Sequence, residues 1–166
     1  MQEMNEKGET FRGMRRSGQQ LSAQETIGIL ERNEVATLAL AGDGGYPYAV
    51  PVNYSYADGR IYFHSATSGH KADAIAREPR ASLCVIDQAV VVPERYTSRY
   101  RSAIVFGEIS AIADEKRRRQ AITMFTRRFC DSPAEEIEKE IDSYWNVLAV
   151  YELRISHMSG KRGGLE

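Results

Sequence analysis

Residues Ile61-Tyr-Phe-His-Ser-Ala-Thr-Ser-Gly-His-Lys-Ala-Asp-Ala-Ile-Ala-Arg-Glu-Pro-Arg80 lead a strand composition into a small polar turn and then into an apolar helical face. Ile61, Tyr62 and Phe63 favour extended chain, Ser65 to Gly69 supplies hydroxyls and a glycine, and Ala72, Ile75 and Ala76 recur at helical spacing. The spacing predicts a helix beginning near His70. The first N–H groups of a helix lack intrahelical partners and carry positive partial charge, so with the hydroxyls of Ser65, Thr67 and Ser68 and the Lys71 ammonium they suit one phosphate group. On local chemistry alone, an ordinary strand, turn and helix with solvated polar residues fits the pattern equally well.

Upstream, Ser22-Ala-Gln-Glu25 is a capping-box pattern ahead of Ile27 and Leu30 and predicts a helix over 22–33. Val35 to Ala41 reads as a strand, Gly42-Asp-Gly-Gly45 as a tight turn, and Tyr46 to Tyr56 as a second strand that Asp58-Gly59 turns into the Ile61 segment. Pro47 and Pro51 have no N–H for a ladder, so that strand is expected to bend or lie at an edge. Downstream, Ala81 to Ile86 reads as a buried strand and Asp87 to Arg99 as an apolar run with a loop at Pro93. Tyr100 to Ala113 reads as a longer strand with Gly107 as a bulge or close approach. Asp114 is placed to cap a helix whose Ile122, Phe125 and Phe129 face a barrel. A short helix from Ala134 to Ile141 and a last strand from Trp145 to Ile155 complete the reading.

This pattern is mainly β: roughly six strands in hairpins with helices at the ends and sides, an antiparallel β barrel rather than a doubly wound sheet. Gly42, Gly44 and Gly45 sit in a hairpin turn and do not lead into a helix, so they make no dinucleotide fingerprint. A length of 166 residues suits one domain over 21–158, between a flexible N-terminal arm over 1–20 and a polar C-terminal tail over 159–166. The net charge of -1 gives no general reason to expect nucleic acid or anionic membrane as a partner. No apolar run approaches the roughly 18 residues of a membrane span, and Met1 to Gln20 is too polar for a secretory signal, so a cytoplasmic location is expected. Cys84 and Cys130 read as reduced thiols, and His64, His70 and His157 lack zinc-ligand spacing. Lys116 to Arg119 and Arg127 read as a solvated helix face, since no interleaved aromatics accompany them.

Four segments together resemble the FMN-binding split barrels related to pyridoxamine 5'-phosphate oxidase, and especially their nitroimidazole-resistance-like branch. They are Tyr48-Ala-Val-Pro-Val-Asn-Tyr-Ser-Tyr56, Ile61-Tyr-Phe-His-Ser-Ala66 followed by Gly69-His-Lys71, Glu78-Pro-Arg-Ala-Ser82, and Tyr100-Arg-Ser-Ala-Ile-Val-Phe-Gly107. The resemblance implies a six-stranded split barrel with FMN as cofactor. It implies that Val50, Pro51, Val52 and Asn53 line the ring and ribityl chain. The same likeness puts His64, Ser65 and Ala66 near the ribityl phosphate and makes His70 and Lys71 its holders. His70 stands where related oxidases often place an arginine, which makes the grip more pH-sensitive. Similar proteins are homodimers with flavin sites between subunits, so Arg101 and Ser102 are candidates for contacts near the ring and Trp145 for a wall. Packing or ion-pair roles for Trp145 and Arg101 remain the plainer alternatives. The activity implied is transfer of electrons from a reduced nicotinamide through FMN to a small oxidised acceptor, such as a nitro-aromatic or quinone-like compound. A non-catalytic flavin- or haem-binding carrier or sensor is one alternative, and a pyridoxamine 5'-phosphate oxidase-like activity is another.

Overall fold

The computed structural model describes residues 2–4 and 10–164. The parts of the expected arm and tail at 1, 5–9 and 165–166 lie outside the described residues. Two short strands, β1 (Gln2–Met4) and β2 (Thr10–Arg12), pair with each other, and α1 (Ala23–Arg32) begins after Ser22. The capping box there is complete: Ser22 Oγ accepts from the Glu25 N–H at 3.2 Å, and the Glu25 carboxylate accepts from the Ser22 N–H at 2.8 Å. Then follow β3 (Val35–Ala41), β4 (Pro47–Asn53), β5 (Ser55–Ala57), β6 (Arg60–Ala66), α2 (His70–Arg77), β7 (Arg80–Val92) and β8 (Thr97–Ala111). Helices α3 (Glu115–Phe129) and α4 (Ala134–Tyr144) precede the last strand, β9 (Leu148–Gly163).

The main sheet has the order β4-β3-β7-β8-β9-β6-β5 with antiparallel pairing throughout. Its edge strands β4 and β5 are consecutive in the chain, with only Tyr54 between them. A sheet whose two edges lie one residue apart must be rolled, so the fold is a split barrel with flanking helices. The strand count is seven rather than six because the run from Tyr46 to Tyr56 breaks at Tyr54. That side chain is fully buried, and its hydroxyl donates to the Leu30 carbonyl at 2.9 Å, which pins the crossing point onto α1.

The prolines of β4 are accommodated by ladder parity. Gly42 N–H donates to the Tyr46 carbonyl and Tyr54 N–H to the Glu34 carbonyl, so even-numbered positions bond toward β3 and odd-numbered ones turn outward. Pro47 and Pro51 are both odd and remove no ladder donor. Strand β7 runs on to Val92, past the Ile86 end expected for it, with Asp87 as an extra residue at a register shift between Ile86 and Gln88. The expected polar tail from 159 is, as far as Gly163, the far half of β9. Ser159 to Gly163 pair with Ile104 to Tyr100, and a backbone ladder needs no apolar side chains. At Gly107 the β8–β9 register shifts, and a Cβ there would run into the Arg154 carbonyl.

The barrel interior holds Leu38, Phe63, Leu83, Val105 and Leu153, closed on one side by Ile29 and Leu30 of α1. Each such side chain contributes about 1.5–3 kcal/mol on burial. Asp114 caps α3 by accepting from the Arg117 N–H at 2.8 Å. Helices α3 and α4 make a second cluster, in which Ile122, Phe125, Ile137 and Ile141 pack with Val150 of β9. Among the described residues, no helix is long and apolar enough to cross a membrane.

Candidate functional site

At the end of β6 the side chains of His64, Ser65 and Ala66 border a cavity of about 610 Å3 that Lys71 enters from the first turn of α2. The strand-turn-helix segment therefore brings a hydroxyl, an imidazole and an ammonium to one place. The opposite wall comes from α3 and α4, through Ile122 and Ile141 among others, with Glu140 and Tyr144 also in the lining. Nothing in the spacing of those helix residues marked them beyond ordinary amphipathic packing, so sequence reasoning left this wall out.

Electrostatics at the cavity follow from crowding. The His64 ring meets Phe125 edge-on, with centroids 4.9 Å apart. Burial lowers the His64 pKa, and the nearby Lys71 charge lowers it further, both favouring the neutral imidazole. Burial also lowers the pKa of Lys71, since taking the ammonium out of water disfavours its charged form. An unpaired cation in a partly apolar recess favours an anionic ligand, whose charge offsets the cost of desolvating the ammonium.

His70 goes elsewhere. Its ring stacks on Tyr48 at 4.0 Å, and its Nε2 lies 3.4 Å from an Asp43 carboxylate oxygen. Asp43 also takes Arg77 at 3.1 Å, so this trio ties α2 to the turn before β4. Neighbouring helix positions diverge by about 100°, which is why His70 and Lys71 do not point together. Val50 is half-buried against the core and Val52 is buried, whereas Pro51 and Asn53 are exposed. What β4 offers a ligand is thus the outward backbone groups at Ala49, Pro51 and Asn53 rather than its valine side chains.

Arg101 and Ser102 lie in β8, paired with Arg162 and Lys161 of β9. Arg101 Nε is 3.6 Å from Asp87, and its side chain opens onto a different cavity from that of Lys71. Trp145 ends α4 instead of opening the last strand, which starts at Leu148. Its ring is covered by the Arg118 and Arg119 guanidiniums at 3.8 and 4.4 Å, on the groove between α3 and α4. The structure therefore brings His64, Ser65, Ala66 and Lys71 together and leaves His70, Arg101, Ser102 and Trp145 apart from them. Among the described residues, no group of His, Cys, Asp and Glu side chains forms a metal site.

A rolled antiparallel sheet with a recess lined by both Lys71 and Glu140 where β6 passes into α2 defines a split-barrel protein. The family model of pyridoxamine 5'-phosphate oxidase matches residues 22–162, and the chain belongs to that family. A 5-nitroimidazole antibiotic resistance protein, so assigned provisionally, from Bacteroides thetaiotaomicron has a similar fold, with a TM-score of 0.72 at 20% identity over 86% of each chain. A FAD-binding protein from Mesorhizobium loti aligns with a TM-score of 0.64 at 24% identity, covering 87% of this chain and 97% of that one. The FAD- and haem-binding protein of Mycobacterium smegmatis aligns with a TM-score of 0.65 at 23% identity over 89% and 74%. No curated protein matches the chain by sequence.

Proposed function

We propose that this protein binds FMN and acts as an oxidoreductase, taking electrons from a reduced nicotinamide and delivering them to a small oxidised acceptor such as a nitro-aromatic or quinone-like compound. The observation that carries the reading is the convergence of Lys71, Ser65 and His64 on one recess in a chain of this family. The donor set fits a phosphate ester: one permanent cation, one hydroxyl and an imidazole able to donate from its N–H. When bound, a flavin supplies the two-electron chemistry. The protein's share is to hold the phosphate at Lys71, to present outward backbone groups of β4, and to shield one side with α3 and α4.

The proposal includes a homodimer with flavin sites between subunits. Supporting it is the arm formed by β7 and β8, whose tip exposes Val90, Val91 and Tyr96, the last 99% exposed. A second copy is the occupant that satisfies such a surface most simply.

A second reading, FAD in place of FMN, is favoured by one feature: the cavity that Lys71 lines is also walled by the apolar side chains of Ile122 and Ile141. The similar proteins from M. loti and M. smegmatis are described as FAD-binding. The visible spectrum of purified protein tests the whole proposal. Two broad bands in the blue and near ultraviolet support a flavin, and a sharp Soret band marks a haem carrier instead. Acid release and chromatography then tell FMN from FAD. Reduced nicotinamide added with and without an acceptor separates turnover from simple carriage.

A further inference from the structure

Four residues of α4 line the Lys71 cavity at the spacing of one helical face: Ile137, Glu140, Ile141 and Tyr144. Ile137 and Ile141 are buried, as the packing of α4 requires, whereas Glu140 is exposed and Tyr144 is 56% exposed. Packing accounts for the two isoleucines and leaves the carboxylate and the phenol ring without a structural task. Among the described residues, the Glu140 carboxylate takes part in no hydrogen bond or ion pair; Ser143 Oγ donates to its backbone carbonyl at 2.7 Å.

Lys71 and Glu140 line one cavity, yet they form no ion pair, and burial alone moves the Lys71 pKa, downward. A carboxylate beside the ammonium would push that pKa up instead. The recess therefore holds a cation and an anion at separate positions, and a ligand that fills it must bring an acceptor to one and a donor to the other. Among the described residues, the lining includes none of β4. With a flavin ring against the outward backbone of β4, this cavity is left for the phosphate and for whatever is joined to it. Its volume of about 610 Å3 exceeds what a phosphate group alone fills.

We propose, on the basis that the recess binds a flavin with its phosphate at Lys71, that Glu140 and Tyr144 form an adenosine subsite and recognise FAD through contacts that FMN cannot make. A ribose diol offers two O–H donors to the two oxygens of one carboxylate, the pairing by which an acidic residue holds an adenosine ribose in dinucleotide-binding folds. Adenine has a flat apolar face, for which an exposed tyrosine ring is a stacking partner. Glu140 and Tyr144 are four positions apart and so stand side by side on α4, where a sugar and the base joined to it can be met together. FMN ends at its phosphate and brings neither group.

The test is calorimetric titration of the flavin-free protein with FMN and with FAD. Tyr144→Ala and Glu140→Gln should each weaken FAD binding about tenfold and change FMN binding by less than about twofold, whereas Tyr144→Phe keeps the FAD affinity of the parent. Retained FMN binding also shows that the variants fold. Lys71→Ala should weaken both flavins, since both carry a phosphate at that end of the ribityl chain. Equal losses of FMN and FAD in the α4 variants, FAD affinity indifferent to those variants, or binding of FMN with none of FAD would each overturn the adenosine subsite while leaving flavin binding in place. A parent protein that binds neither flavin would instead remove flavin binding at the recess, and the subsite with it.

Discussion

His64 and Lys71 face one cavity from two different elements, the imidazole from the end of β6 and the ammonium from the first turn of α2. The turn over Thr67 to Gly69 holds them in that relation. Thr67 N–H donates to the Val147 carbonyl at 3.0 Å, and Gly69 takes φ 111°, a conformation that a side chain disfavours. The pairing sets the positive charge of Lys71 beside the imidazole of His64 in a recess that Glu140 also lines.

Lys71→Ala is therefore expected to weaken FMN binding about ten- to a hundredfold, the loss of one charge-assisted contact worth about 1.5–3 kcal/mol. Riboflavin, which has no phosphate, should bind the variant and the parent alike. Fluorescence titration with both ligands checks this, and equal losses for the two would remove Lys71 from the phosphate.

For His64 the sign of the pH effect is set by burial and by Lys71, which hold its pKa below the ordinary value near 6.5. As pH falls through that value, the unfolded chain takes up the proton first, so stability is highest above about pH 6.5 and declines on acidification until the folded-state pKa is passed. His64→Gln should flatten that part of the curve in urea melts between pH 5 and 8. A bound phosphate dianion raises the imidazole pKa, so FMN affinity should tighten as pH falls from about 8 to 6. The variant expected to abolish that slope is His64→Gln. His70, held by Tyr48 and Asp43, should leave it intact when changed to Gln, and the opposite result would return the phosphate to His70.

Association into a homodimer is expected at micromolar concentration, through a surface that includes the β7–β8 arm. Changing Val91, 71% exposed, and Tyr96 together to Asp should shift sedimentation toward the monomer without changing the far-ultraviolet circular dichroism. A parent protein that sediments as a monomer while binding flavin fully would remove the shared site.

Gly107→Ala is expected to destabilise the fold by about 1–3 kcal/mol, because the added methyl meets the Arg154 carbonyl of β9, a backbone atom that moves only with its strand. Urea denaturation measures the change. Gly18→Ala, where a Cβ meets nothing within 4 Å among the described residues, serves as the control and should shift stability by less than about 0.5 kcal/mol.

Local signals in the chain were strong enough to determine the elements around the site. The capping box at Ser22, the Asp114 cap and the helix start at His70 depend on contacts within a few residues, and each is found where composition and spacing put it. Family membership was legible for the same reason, since the segments from Tyr48 to Gly107 keep their order and spacing. Tertiary structure alone decided which side chains meet. Tyr54 splits one expected strand into two sheet edges because its hydroxyl reaches α1, 24 residues earlier in sequence. Adjacent His70 and Lys71 part because Tyr48 and Asp43 capture one ring while the other side chain enters a recess walled by α3 and α4. The polar run after Ile155 becomes sheet because β8 supplies a continuous ladder for it, and Trp145 leaves the proposed flavin site because two arginines of α3 stack on its ring. In each case the deciding partner is distant in the chain, and composition near a residue carries no record of what folding will bring beside it.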